Sequence, residues 1–64
     1  MRVNGTEMPL GGNHTLKGFI EGEGYDAGRI AVEKNGEIIP RSRYETEILS
    51  ENDSLEIITF VGGG

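Results

Sequence analysis

Apolar residues fall along this chain in short alternating runs, one helical run and one longer alternating run, with backbone-turning residues between them. Asn4-Gly5 and Asn35-Gly36 each lie between two of the short runs, and Asn-Gly favours two-residue hairpin loops because both central positions take positive φ. The first pair predicts a hairpin joining Met1 to Val3 with Thr6 to about Met8, closed by Pro9 and Gly11-Gly12. The second joins Ile30 to Lys34 with Glu37 to Ile39. Between the hairpins, Leu16, Phe19 and Ile20 repeat at i, i+3, i+4, which predicts a short helix capped by Thr15 and stopped by Gly22 or Gly24. Gly18 inside it costs about 1 kcal/mol relative to alanine. No Glu or Gln stands three residues after Thr15 to complete a capping box, so packing rather than propensity has to hold this helix.

After the second hairpin, Pro40 to Leu49 has mixed character that accommodates a short turn or an isolated bridge. Ser50-Glu51-Asn52-Asp53 is a turn cluster leading into the strongest strand, Ser54 to Val61. Alternation puts Leu55, Ile57, Thr59 and Val61 on one face, expected to meet the core, and Glu56, Ile58 and Phe60 on the other. The order is hairpin, helix, hairpin, closing strand. An apolar closing strand suits the middle of a sheet, beside the first strand, so the expected fold is α+β, a ubiquitin-like β-grasp: ββαββ with a mixed sheet on one helix. No repeat or linker divides it, and residues 1–64 read as a single β-grasp domain whose residues 61–64 form a flexible reactive tail.

Sixty-four residues without cysteine leave a thin core and no staple, and a chain of this size buries only about 60% of its unfolded surface. An enclosed catalytic cleft does not fit such a body. A net charge of −5 repels polyanions and no Lys/Arg cluster is interleaved with aromatics, which argues against nucleic acid and for basic patches on other proteins. No apolar run is long enough to span a bilayer and no signal core follows the N-terminus, so a cytoplasmic location is the default expectation.

The strand runs directly into Gly62-Gly63-Gly64, which makes the Gly64 carboxylate the first candidate for chemistry. Glycines leave it free of side-chain hindrance and let Gly62 and Gly63 thread a narrow channel in a partner. From Val32 the sequence reads VEKNGEIIPRSRY, then a spacer, then DSLEIITFVGGG. The Asn-Gly-Glu hairpin, Ile39-Pro40-Arg41, the aromatic Tyr44, the Asp53 turn and the closing Phe-Val-Gly-Gly-Gly resemble, in order and spacing, the ThiS family, the sulfur carrier proteins of thiamine biosynthesis. The N-terminal half resembles it more loosely, through Val3-Asn4-Gly5 and Thr15-Leu16. Departures are a short first strand, Tyr44 where tryptophan is common, and a glycine-rich helix; they bear on the rigidity of that half.

The resemblance implies a carrier and not an enzyme. Gly64 would be adenylated by an activating enzyme of the ThiF type, akin to those that activate ubiquitin, using ATP and magnesium bound by that partner and not by this chain. A sulfur donor protein would then convert it to a thiocarboxylate, delivered to a thiazole synthase of the ThiG type. The absence of cysteine agrees with this route, since a chain without thiols cannot hold a persulfide on its side chains. Ile58, Phe60 and Val61 are the expected docking residues, because an exposed apolar patch with an aromatic marks an interface. Two alternatives share the tail: a molybdopterin synthase small subunit or other thiocarboxylate β-grasp carrier, and a ubiquitin-like protein modifier.

Several other residues invite chemistry without supporting it. His14 has no second His or Cys for a metal site and reads as a surface or capping residue. The carboxylate pairs Glu21/Glu23, Glu45/Glu47 and Glu51/Asp53 read as solvated charges, because acid–base work needs a pocket that shifts a pKa. Arg41 and Arg43 are expected to be mostly solvated.

Overall fold

Both Asn-Gly pairs turn the chain as their chemistry requires: φ is 51° at Asn4 and 84° at Gly5, 54° at Asn35 and 85° at Gly36. The computed structural model describes residues 1–60. Val61, Gly62, Gly63 and Gly64 lie outside the described residues. The first turn joins β1 (Arg2–Val3) to β2 (Thr6–Glu7), and the second joins β3 (Ile30–Lys34) to β4 (Glu37–Ile39). The second hairpin has the expected bounds. The first is shorter than expected, although the Met8 N–H still donates to the Met1 carbonyl at 2.7 Å.

Helix α1 spans Leu16–Gly22, and the Thr15 hydroxyl accepts from the Gly18 N–H at 3.1 Å. Gly18 is thereby explained, because a Cβ there would lie 3.3 Å from that capping hydroxyl. At the other end Gly24 takes φ +85° while its N–H reaches the Glu21 carbonyl and that of Tyr25 reaches the Ile20 carbonyl. This Schellman arrangement satisfies carbonyls that the helix leaves unpaired. Leu16, Phe19 and Ile20 are buried.

The closing strand β5 (Ser54–Thr59) completes a five-stranded sheet of order β2-β1-β5-β3-β4. It runs parallel to β1 and antiparallel to β3, in the register Arg2↔Ser54 on one side and Ala31↔Ile58, Val32↔Ile57 and Glu33↔Glu56 on the other. One face meets the helix: Val3, Ile30, Val32, Ile39, Leu55 and Ile57 pack there with Phe19, Leu16 and Ile20. Thr59 keeps the parity of that face but is exposed, although Ile30 opposite it is buried. The connection after β4 holds a 3₁₀ turn at Arg41–Arg43 and a bridge from Ile48 to Thr15, the kind of short structure expected there. From this irregular stretch Tyr44 and Leu49 also enter the core.

Candidate functional site

Everything expected to matter for function sits on or beyond β5, so the forces that position this strand come first. β1 stops at Val3, which leaves the Ile57 backbone without a strand partner on that side. The Asn4 side chain supplies one: its Oδ1 accepts from the Ile57 N–H at 2.8 Å and its Nδ2 donates to the Ile57 carbonyl at 3.3 Å. A carboxamide has the donor and acceptor of a peptide, so Asn4 adds one rung to the parallel ladder. Asn35 acts at the start of the strand: its Oδ1 accepts from the Ser54 N–H and its Nδ2 donates to Asp53 Oδ1, both at 2.9 Å. The two turn asparagines therefore hold β5 from opposite flanks as well as forming their hairpins.

Replacing Asn4 with glycine preserves the positive φ and removes only the side-chain bonds. We expect Asn4→Gly to lower stability by about 1–3 kcal/mol. Asn4→Ala should lose about 1–2 kcal/mol more, because alanine is strained in the left-handed region. Urea denaturation of the two variants beside the wild type checks both steps.

Below β5 lies a partly buried ionic group. Lys34 Nζ stands 2.8 Å from Glu47 Oε2 and 3.8 Å from Asp53 Oδ2, and donates to the Ile48 carbonyl at 3.0 Å. Arg43 Nη2 reaches Glu47 Oε1 at 2.6 Å. Glu47 and Asp53 are thus not the solvated charges expected from the sequence, since the sheet register brings Lys34 against them; Glu21, Glu23, Glu45 and Glu51 are exposed. Arg43 is committed to Glu47, and Arg41 Nε donates to the Ala27 carbonyl.

The hydrogen bond and charge of Lys34 hold the Glu47 carboxyl below the ordinary range. Burial opposes ionisation of Asp53, but hydrogen bonds from Asn35 and Ser50 and the Lys34 charge outweigh it and bring its pKa down. Carboxyls depressed by folding stabilise the chain above their unfolded pKa, and that contribution disappears as pH falls through the folded values. Stability should therefore be flat through neutral pH and decline below about pH 4. In Asp53→Asn that acid dependence should be shallower, read as the urea midpoint against pH.

The other face of the sheet carries no helix. Ile58 and Phe60 are 52% and 55% exposed, as expected for docking residues, and Ile38, which the sequence reading passed over, is 71% exposed on the same face. Strict alternation in Glu37-Ile38-Ile39 was the available signal: once Ile39 enters the core, Ile38 must point away. The register places Ile38 opposite Glu33, Glu33 opposite Glu56, and Ala31 opposite Ile58. The Phe60 N–H donates to the Arg29 carbonyl at 2.7 Å, so β5 stays tied to the β3 side up to the last described residue. Of the expected site residues Ile58 and Phe60 are both exposed; Val61, Gly62, Gly63 and Gly64 fall outside the described residues. Exposed His14 uses its carbonyl to accept from the Leu49 N–H. Among the described residues no group of three or more His, Asp or Glu forms a metal site, and no helix is long and apolar enough to cross a membrane.

A mixed sheet closed by a central C-terminal strand and packed on one helix defines a ubiquitin-like β-grasp domain. Comparison with protein-family models matches the ThiS family over residues 1–64, and this chain belongs to that family. Its fold is similar to the crystal structure of the thiamine biosynthesis protein (ThiS) from Geobacter metallireducens, with a TM-score of 0.80 at 26% identity, covering 98% of this chain and 96% of that one. The sulfur carrier protein ThiS of Bacillus subtilis is 49% identical over 35 residues, 55% of this chain and 53% of that one. A thiazole synthase of Paramagnetospirillum magneticum is 37% identical over 62 residues, 97% of this chain. The chain spans 19% of that protein's length, and 20% of a second similar thiazole synthase, from Magnetococcus marinus.

Proposed function

We propose that this chain is a sulfur carrier for thiazole formation in thiamine biosynthesis. The observation that carries the reading is the ThiS-family match over residues 1–64, and on this reading Gly64 is the residue that is activated. In the first step the Gly64 carboxylate attacks the α-phosphate of magnesium-bound ATP on a ThiF-type enzyme; pyrophosphate leaves and an acyl-adenylate forms. Adenylation is needed because a carboxylate oxygen is a poor leaving group. The outer sulfur of a donor protein's persulfide then attacks the acyl carbon and AMP departs. A thiol reductant cleaves the S–S bond of the resulting acyl disulfide, which leaves a thiocarboxylate on Gly64 and the donor's inner sulfur in a disulfide with that thiol. Gly62 and Gly63 thread the tail into each enzyme, while Ile58, Phe60 and Val61 dock the body.

The similarity of this chain to about a fifth of two thiazole synthases favours a thiazole synthase as the acceptor, since these proteins join a carrier-like segment to the named activity in one chain. The test is intact mass measurement after incubation with ATP, magnesium, a sulfur source and a ThiF-type enzyme. Replacement of one oxygen by sulfur at Gly64 is the expected result, and a chain of unchanged mass beside a control carrier that does convert would overturn it.

A further inference from the structure

The helix-free face places two like charges beside exposed apolar residues. Glu33 and Glu56 are direct partners across β3 and β5, which sets their Cβ atoms about 4.5–5.5 Å apart on one face. Like charges at such a position destabilise a sheet. Among the described residues neither glutamate enters a salt bridge. Lys34, the next residue after Glu33, points to the opposite face, where Glu47 and Asp53 engage it. Arg2 lies on β1 opposite Ser54, two residues along from Glu56, with Glu7 opposite it on β2, and it enters no salt bridge among the described residues. Exposed Ile38 flanks Glu33, and exposed Ile58 follows Glu56 two residues along β5.

We propose that this face receives a partner protein that inserts a lysine or arginine side chain between Glu33 and Glu56, with Ile38, Ile58 and Phe60 packing against the apolar surface around it. The inference rests on the docking role given above to Ile58 and Phe60. One cation converts a repulsive pair into two charge-assisted contacts. A partner that brought only apolar surface would strip water from two carboxylates and return nothing, so the pair also rejects wrong partners. The chain's net charge of −5 draws the same class of partner from a distance.

The experiment compares Glu33→Gln, Glu56→Gln and the double variant with the wild type in two measurements whose changes should have opposite signs. Urea denaturation of the free chain should show each single variant as stable as the wild type or more so, because a repulsion is gone. Calorimetric titration with a purified ThiF-type enzyme and, separately, with a thiazole synthase should show affinity for at least one of them falling about tenfold, with a weaker salt dependence. In thiocarboxylate formation or transfer, KM should rise with kcat retained. Glu21→Gln, on the helix side, is the control and should leave all of these unchanged.

Wild-type affinity for both enzymes in the variants overturns the proposal, as does parallel loss of stability and affinity, or failure of the unsubstituted chain to bind either enzyme. Variants that acquire sulfur with unaltered KM, and pass it on with unaltered KM, refute the cation contact and leave the carrier reading standing. Binding that depends on Glu33 and Glu56 in a chain that never acquires sulfur does the reverse.

Discussion

Removing Gly63 and Gly64 will abolish thiocarboxylate formation and leave the fold as stable as before. The two effects separate because the residues that hold the domain together lie upstream. Among the described residues the last buried apolar side chain is Ile57, and the bond from the Phe60 N–H to the Arg29 carbonyl precedes the deletion. Changes away from buried or bonded groups generally move stability by no more than about 0.5 kcal/mol. The loss of function is expected to be complete, since truncation leaves the new α-carboxyl on Gly62, about 7 Å short of the reach that the proposed activation needs. Urea denaturation and intact mass measurement on the same preparation check both halves. A truncated chain that still gains sulfur would show that the reaction does not need the full length of the tail, and one that unfolds would show the tail contributing to the body.

Phe19→Ala will remove a large share of the domain's stability. Phe19 is 1% exposed and is the largest of the fully buried side chains, under the sheet on a helix of seven residues. Truncating a buried phenylalanine costs about 3–5 kcal/mol. A domain of this length has a total stability of about 3–9 kcal/mol at 0.05–0.15 kcal/mol per residue. No disulfide supports the fold. Helix propensity offers no reserve either, because so short a segment is not stable without tertiary packing. A urea titration followed by far-ultraviolet circular dichroism should show the midpoint moved far toward zero denaturant. The conservative Phe19→Leu should retain a cooperative transition.

How much of this was legible in the residues depends on how far each interaction reaches along the chain. Asn35-Gly36 gave the second hairpin to the residue, and Thr15 with Leu16, Phe19 and Ile20 gave the helix start, because turns and caps are decided by neighbours. The placement of β5 beside β1 was also readable, since a strand of alternating apolar residues is best used where both edges are paired. What escaped was long-range. That Asn4 would pair with Ile57, 53 residues away, has no local signature beyond the turn it also makes. Tyr44 and Leu49 reach the core from an irregular segment that shows no periodicity. Glu47 and Asp53 look like any exposed acids until β3 delivers Lys34 to them. Asp26, whose side chain accepts from the Gly28 N–H at 2.9 Å to cap the 3₁₀ turn Ala27–Arg29, was readable as an Asx-type turn and was passed over. The candidate site divided in the same way: alternation along β5 exposed Ile58 and Phe60, but the opposition of Glu33 to Glu56 needed the strand register.

The position of β5 between β1 and β3, with an asparagine clasping each flank, sets how the domain bears load. An edge strand under tension comes away one hydrogen bond at a time. A strand paired on both sides must break rungs together in shear. On the proposed carrier reading, a pull on the chain beyond Phe60 would therefore load the doubly paired middle of the sheet and not an edge strand.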